Sequence, residues 1–279
     1  MKKRNNFLIF GTALLCFVFG IFQSNAQEVG IQLYSLRNQF KTDVPGTLKL
    51  INEWGITKIE GGGSYGLPLE EYKGLLKKNN LDMVSVGAGY EDLKNDVDKV
   101  IKNAKDFDAN FVMCAWIPHD GNTFDIAKTK EATEVFNNAG KKLKEEGITL
   151  AYHAHGYEFR PYEDGTLFDY MAKNARDFAF EMDVYWVHHG GEDPLALLNR
   201  YPDKFVLLHL KDMEHGVKGN DTGHEDVETN VVLGTGQVDI AGVVKRSKEL
   251  GVVKYMFIED ECSRVVEQVP QSLKFLEKL

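Results

Sequence analysis

The feature that most constrains this chain is an alternation. Between Val29 and Asp260, short β-rich runs trade places with longer amphipathic runs, eight times over. The β-rich runs are VGIQLYS (29–35), TKIEG (57–61), LDMVSVG (81–87), NFVMCAW (110–116), ITLAYHAH (148–155), FAFEMDV (178–184), KFVLLHL (204–210) and VKYMFIED (253–260). Their mean spacing, about 30 residues, is that of one strand–helix unit. The runs between them have readable helix ends. TDVPGTLKLINEWG offers Thr42 or Asp43 as cap, Pro45 in the first turn and Gly55 as stop. DLKNDVDKVIKNAKDF places Leu93, Val97, Val100, Ile101 and Ala104 on one stripe, which predicts a single helix. EATEVFNNAGKKLKEEG stops at Gly147, and DIAGVVKRSKELG runs from a capping Asp239 to Gly251.

Strict alternation without a hairpin signal predicts a parallel sheet. Eight units favour closure into a single (β/α)8 barrel over residues 27–279. An open doubly wound sheet usually carries a glycine-rich turn after its first strand, and here that turn is YSLRNQF. The GTG at 234–236 falls late in a loop, away from any such turn. It closes the least regular stretch, 214–237, a long polar insertion after the seventh run.

Residues 1–26 read differently. Lys2, Lys3 and Arg4 precede an apolar run from Phe7 to Phe22, and SNA stands before Gln27. This is the layout of a secretory signal peptide. The mature chain is expected to begin at Gln27, to lie in the periplasm or outside the cell, and to keep no stable membrane insertion. The alternative is an uncleaved anchor, for which the apolar run is slightly short. The full chain carries a formal charge of −9, and without the three basic residues of the signal it carries about −12. Such an acidic chain is a poor partner for nucleic acid or an anionic membrane. Cys114 and Cys262 sit on distant segments, so no disulfide is expected.

In a closed parallel barrel the C-terminal strand ends converge on one mouth. The first run delivers Gln32 and Tyr34, the second Glu60, and the fourth Trp116 with His119 beyond. The fifth brings His153 and His155, followed by Glu158; the sixth brings Glu181, Asp183, Tyr185 and Trp186. The seventh ends in His209, Lys211 and Asp212, and the eighth in Glu259, Asp260 and Glu261. Taken singly, each has an ordinary explanation. A strand-end acid is usually a helix cap, Lys211 a solvated rim charge, and Glu60 the partner of a surface lysine. Convergence argues otherwise. Acids gathered in a low-dielectric mouth repel one another unless a cation neutralises them. Carboxylates mixed with imidazoles are ordinary ligands of a divalent metal. His153 and His155, two apart on a strand, should both face into the mouth, with Tyr152 and Ala154 facing the helices.

The motifs GIQLYSLR, YHAHGYEF, MDVYWV, LHLKDM and FIEDE, in this order, resemble successive strand ends of the xylose-isomerase-like TIM barrels, the sugar phosphate isomerase/epimerase group. The nearest likeness is to an exported branch whose fifth strand reads Tyr-His-Asn-His, with Ala154 in place of the Asn. The resemblance implies one divalent ion held by Glu, Asp, His and Glu from strands five to eight. Asp183, His209 and Glu259 match the last three. Glu158 is the favoured carboxylate for the first, with His153 as ligand or substrate contact. Mn²⁺ is the favoured ion, with Mg²⁺, Co²⁺ or Zn²⁺ as alternatives. Gly87 stands where relatives often carry a strand-three histidine, which argues against an endonuclease-type multinuclear zinc site.

The implied chemistry is removal of a proton next to a ketone of a carbohydrate, through an enediolate. Return of the proton gives epimerisation or isomerisation. Loss of a β-substituent gives a dehydratase or a 3-keto-glycoside lyase. Glu259 is expected to act as both ligand and base, with Glu158 a further acid–base candidate. His155 and Lys211 would deliver protons or hold a substrate oxygen. Trp116, Tyr34, Trp186, Gln32 and His153 would line the substrate, a keto sugar or keto-glycoside. The reading of another class is an exported sugar-binding protein without catalysis.

Overall fold

A computed structural model describes residues 28–279. The expected signal peptide and its cleavage site lie outside the described residues. Eight strands form the closed ring: β1 (Glu28–Gln32), β2 (Lys58–Gly61), β3 (Asp82–Gly87), β4 (Phe111–Cys114), β5 (Thr149–His153), β6 (Ala179–Asp183), β7 (Phe205–Leu210) and β8 (Tyr255–Ile258). Each strand pairs in parallel with its sequence neighbours, and β8 returns to β1 to close the barrel. This is the (β/α)8 barrel that the alternation predicts.

The helices begin and end for the reasons read from the sequence. Asp43 accepts from the Gly46 amide at 2.8 Å and starts the helix Val44–Glu53. Asp239 caps Ile240–Leu250, and Gly251, at φ 67°, ends it in the left-handed region. The stripe from Leu93 to Ala104 is not one helix. Asp96 leaves the helical conformation, ends Tyr90–Asn95, and caps Val97–Asp106 through the Lys99 amide. A strong local cap thus overrides a continuous apolar stripe.

Two apolar layers hold the barrel. The larger lies between strands and helices and includes Tyr152 and Ala154. The smaller fills the barrel floor with Val84, Phe111, Ala151, Leu207 and Phe257. A Cβ on Gly30 would meet the Phe257 ring at 2.7 Å, so glycine there lets the ring occupy the axis. Above this floor the register lines up the polar residues. His153 is opposite Glu181, Asp183 opposite His209, and Glu60 opposite both Gln32 and Ser85.

Two short antiparallel ribbons, unsignalled in the sequence, decorate the mouth: Pro161–Tyr162 with Gly165–Thr166, and Asp212–Met213 with Asn230–Val231. The second pinches the base of the 214–237 insertion. Asp212 then accepts from the amides of Gly234, Gly236 and Val238 at 2.8–3.1 Å, so its carboxylate holds the insertion. Cys114 and Cys262 are both free and buried. No helix among the described residues is long and apolar enough to cross a membrane.

Candidate active site

The site grows out of strand parity. On β5, Ala151 points into the floor, so His153, two residues on, points to the space above it. The same parity on β6 and β7 brings Glu181, Asp183 and His209 to that level, and Glu259 follows the end of β8. All five side chains are at least nine-tenths buried. Two groups of potential ligand atoms result: Asp183, His209 and Glu259, and His153, Glu181 and His209. Within each, the atoms lie within 4.8 Å of one another. His209 Nδ1 is 3.4 Å from Glu259 and 3.9 Å from Asp183 Oδ2; His153 Nε2 is 3.8 Å from the same Asp183 oxygen.

Buried polar atoms normally have partners. Here both nitrogens of His153, both oxygens of Glu181, Asp183 Oδ2 and His209 Nδ1 make no hydrogen bond, although Glu181 Oε1 lies 3.2 Å from His209 Nε2. These unpartnered atoms share one small volume. Asp183 shows the division of labour within one side chain. Its Oδ1 accepts from the Trp186 amide at 3.0 Å and caps the helix Val184–His189, which leaves Oδ2 for the site. Ligands about 2 Å from a common ion stand roughly 3–3.5 Å apart, near the spacings seen here. The donor set therefore fits a divalent cation.

Within the cluster the buried acids and imidazoles shift one another. Burial pushes Asp183 up to about 8. Burial and the Glu181 charge push Glu60 up to about 7. Burial alone would depress His209, but Glu181 and Glu259 hold it well above its usual value. Burial would raise Glu259, but Lys211 and His209 hold it well below the carboxylate range. Burial and, behind it, neighbouring positive charge keep His153 and His155 well below theirs, so both rings are neutral.

Glu60 has a defined task. Its Oε1 lies 2.6 Å from His209 Nε2, and it is itself fixed by Gln32 Nε2 at 2.7 Å and by the Ser85 hydroxyl. A carboxylate on one imidazole nitrogen fixes the proton there and turns the other lone pair to the ligand side. Here that other nitrogen is Nδ1, the atom facing Asp183 and Glu259. Lys211 is buried rather than a rim charge. Its ammonium meets Glu261 at 2.5 Å and Glu259 at 3.4 Å, and it lies 5.3 Å from the ring centres of Tyr185 and Trp186.

A cavity of about 630 Å³ opens above the cluster. His153, His155, Trp116, Tyr34, Gln32 and Trp186 all line it, with His209 and Glu259 at its base. The His155 ring sits 4.6 Å from that of His153 and between Trp116 and Trp186, with Nδ1 buried and unpartnered. From the insertion, Gly223, His224, Glu225 and Val227 reach over the cavity. Arg160 ties that segment down through Asp221 at 2.8 Å, and His189 holds Glu225 at 2.9 Å.

Glu158 requires a correction. It belongs to neither ligand group, because both its oxygens are in use. One accepts from the Tyr152 hydroxyl and the other from the His155 and Gly156 amides at 3.1 and 3.0 Å. Tyr152 points to the helices, so Glu158 braces the outer side of the β5 turn. His153 and Glu181 are the residues whose potential ligand atoms gather with His209 in the second group. Glu181 was absent from the expected ligands, although its i, i+2 relation to Asp183 signals a shared face.

The model of the xylose isomerase-like TIM barrel family matches residues 48–279. Among solved structures, a sugar phosphate isomerase/epimerase from Parabacteroides distasonis superposes with a TM-score of 0.74 at 23% identity, covering 90% of this chain and 93% of that one. The IolI protein with a bound zinc atom gives 0.69 at 12% identity over 90% and 95%. The probable 3-DHS dehydratase AsbF from Bacillus anthracis gives 0.68 at 13% over 90% and 99%. No curated protein matches. At these identities the superpositions carry the fold alone, while the family model spans most of the sequence: the chain belongs to the xylose isomerase-like TIM barrel family.

Proposed function

We propose that this protein is a divalent-metal-dependent enzyme that removes the proton next to the ketone of a neutral keto sugar or keto-glycoside. The observation that carries the reading is the set of unpartnered buried ligand atoms on His153, Glu181, Asp183 and His209, directly beside the unpartnered Nδ1 of a neutral His155. Asp183, His209 and Glu259 would hold the ion, with His153 and Glu181 adjoining. Mn²⁺ suits such a mixed set, as do Co²⁺ and Zn²⁺, and Mg²⁺ less so. A bound divalent ion would polarise a carbonyl oxygen and acidify the adjacent C–H.

The chain's own residues supply the rest. Glu259, held ionised by Lys211 and His209, is a better anionic ligand than a base. His155 is the candidate base, since its Nδ1 is uncommitted and its ring stands 4.6 Å from that of His153 at the edge of the cluster. Lys211, held protonated by Glu259 and Glu261 against burial, balances the carboxylates. Trp116 and Trp186 flank His155 and limit where a sugar ring can lie.

The test is incubation of metal-loaded protein with ketoses and 3-keto-glycosides in D₂O. Deuterium should appear at the carbon next to the ketone, and the product identifies isomerisation, epimerisation or elimination. His155→Ala should slow exchange by roughly 10²-fold or more while metal content stays unchanged. Stoichiometric metal with no exchange into any of these compounds would overturn the reading in favour of a binding protein.

A further inference from the structure

We propose that the half of the cavity over β2 and β3 is a subsite for a second, uncharged ring, so that the ligand of this site is a two-ring glycoside and not a free monosaccharide. The inference deepens the reading above and rests on it for the position of the reacting sugar.

The two halves of the mouth differ in kind. Over β5 to β8 stand His153, His155, His209 and Glu259. Over β2 and β3 the lining is Gly61, Gly62, Gly63 and Gly87. Only Gly61 is required by packing, since a Cβ there would meet Leu33 at 2.8 Å. At Gly62 and Gly87 a Cβ would meet nothing closer than 3.5 and 4.0 Å, and at Gly63 nothing within 4 Å. None of these three adopts a positive φ. Neither backbone nor neighbours call for glycine, and the missing side chains extend the cavity away from the ligand cluster.

The rim of this half is aromatic at Tyr34 and Tyr65, and Trp116, which also meets His155, marks its border with the other half. Tyr34, Tyr65 and Trp116 are 56%, 38% and 37% exposed, three of the five exposed large hydrophobic residues among the described ones, and all three line the cavity. Tyr65 holds a left-handed backbone, φ 54°, which a bulky residue rarely adopts. Its ring lies flat on Phe40, with centroids 4.0 Å apart and planes 6° apart, and meets Tyr72 edge-on at 6.0 Å, which holds it in place at the cavity. Backbone strain that places an aromatic face at a cavity is the kind found at ligand sites. Such faces suit the C–H face of a sugar or an aryl ring.

Charge sets the second property of the ligand. The cations nearest this space are already paired. Arg37 lies 3.5 Å from the Glu261 carboxylate and over the Tyr34 ring, and Lys211 is held by Glu259 and Glu261. Among the described residues lining the cavity Arg37 is the one Lys or Arg, and its guanidinium is already shared between Glu261 and the Tyr34 ring, which disfavours a phosphate or carboxylate on the second ring.

The probes are methyl glucoside, phenyl glucoside and cellobiose, titrated calorimetrically into the metal-loaded protein. They lack the ketone, so binding is read without reaction. At least one two-ring probe should bind about tenfold tighter than methyl glucoside, a difference of about 1.4 kcal/mol. Preference for phenyl glucoside alone identifies an aryl group, and for cellobiose alone a second sugar. Gly87→Phe, which fills the space, and Tyr65→Ala, which removes the platform, should each bring the ratio to within about twofold with metal content unchanged. Equal or absent binding of all three probes, or a preference that survives both substitutions, would overturn the subsite. Deuterium exchange without ring preference removes only the subsite; ring preference without exchange removes only the enolising reading.

Discussion

Glu158 and Glu60 exchange the tasks that their places in the chain suggest. Glu158 follows the two histidines of strand five and reads as a ligand, yet the Tyr152 hydroxyl and two amides occupy it outside the barrel. Glu60 taken singly reads as the partner of a surface lysine, yet it is fully buried in the mouth and fixes His209. The Glu158→Gln protein should therefore bind metal with unchanged stoichiometry and near-native affinity. It should lose about 1–3 kcal/mol of stability, because an amide N–H would face donors where a carboxylate accepted. Calorimetric metal titration and thermal denaturation read the two effects separately. The Glu60→Gln protein should do the reverse of the first, losing about 10–100-fold in metal affinity through a misoriented imidazole, as titration with Co²⁺ would show. Strand parity made the inward facing of His153, Asp183 and His209 legible in the sequence. It could not place Glu158, because the chain leaves the strand at Ala154 and periodicity ends there.

The elements were legible where their signals are local. Caps at Asp43 and Asp239 and stops at Gly55 and Gly251 act within a turn, and the helices obey them. Strand ends were read long. The fifth run reads to His155 and the eighth to Asp260, but ladder pairing stops at His153 and Ile258. At the mouth the backbone peels off the barrel to aim side chains at the cavity, and residue propensity does not register that departure. The 214–237 insertion was visible only as irregular. Its position over the cavity depends on partners distant in sequence, above all Arg160, which bonds Asp221 and the carbonyls of Asn122 and Phe124. Arg160→Ala should release this clasp. Amide exchange across residues 219–226 should accelerate while metal affinity stays as in the native protein; unchanged exchange would mean that the His189–Glu225 contact alone holds the segment.

At the scale of the whole molecule, the barrel concentrates acids that folding alone cannot neutralise. Asp183, raised to about 8, and Glu60 and Glu158, each raised to about 7, keep protons in the folded metal-free protein that the unfolded chain has lost. His209, also raised, adds stability that is lost as pH rises above its unfolded value near 6.5. His153 and His155 are depressed, so they favour folding above pH 6.5 and oppose it below. Their effect fades as pH rises past 6.5, while Asp183 and His209 are still losing theirs. The metal-free protein should thus lose stability between pH 6.5 and 8. A divalent ion should reverse the trend, because it displaces the His209 and Asp183 protons and binds more tightly as pH rises. Thermal denaturation across this window, with chelator and with Mn²⁺, reads both slopes.

Asp183, His209 and Glu259 are proposed to form one divalent-ion site in the mouth of the barrel. Metal titration of chelator-treated protein tests it most directly, with native protein, Asp183→Asn and Glu259→Gln compared at one pH. One ion per native chain is expected, with loss of that ion in both variants, each of which retains its fold. Absence of binding by the native chain, or full stoichiometry in both variants, would contradict it.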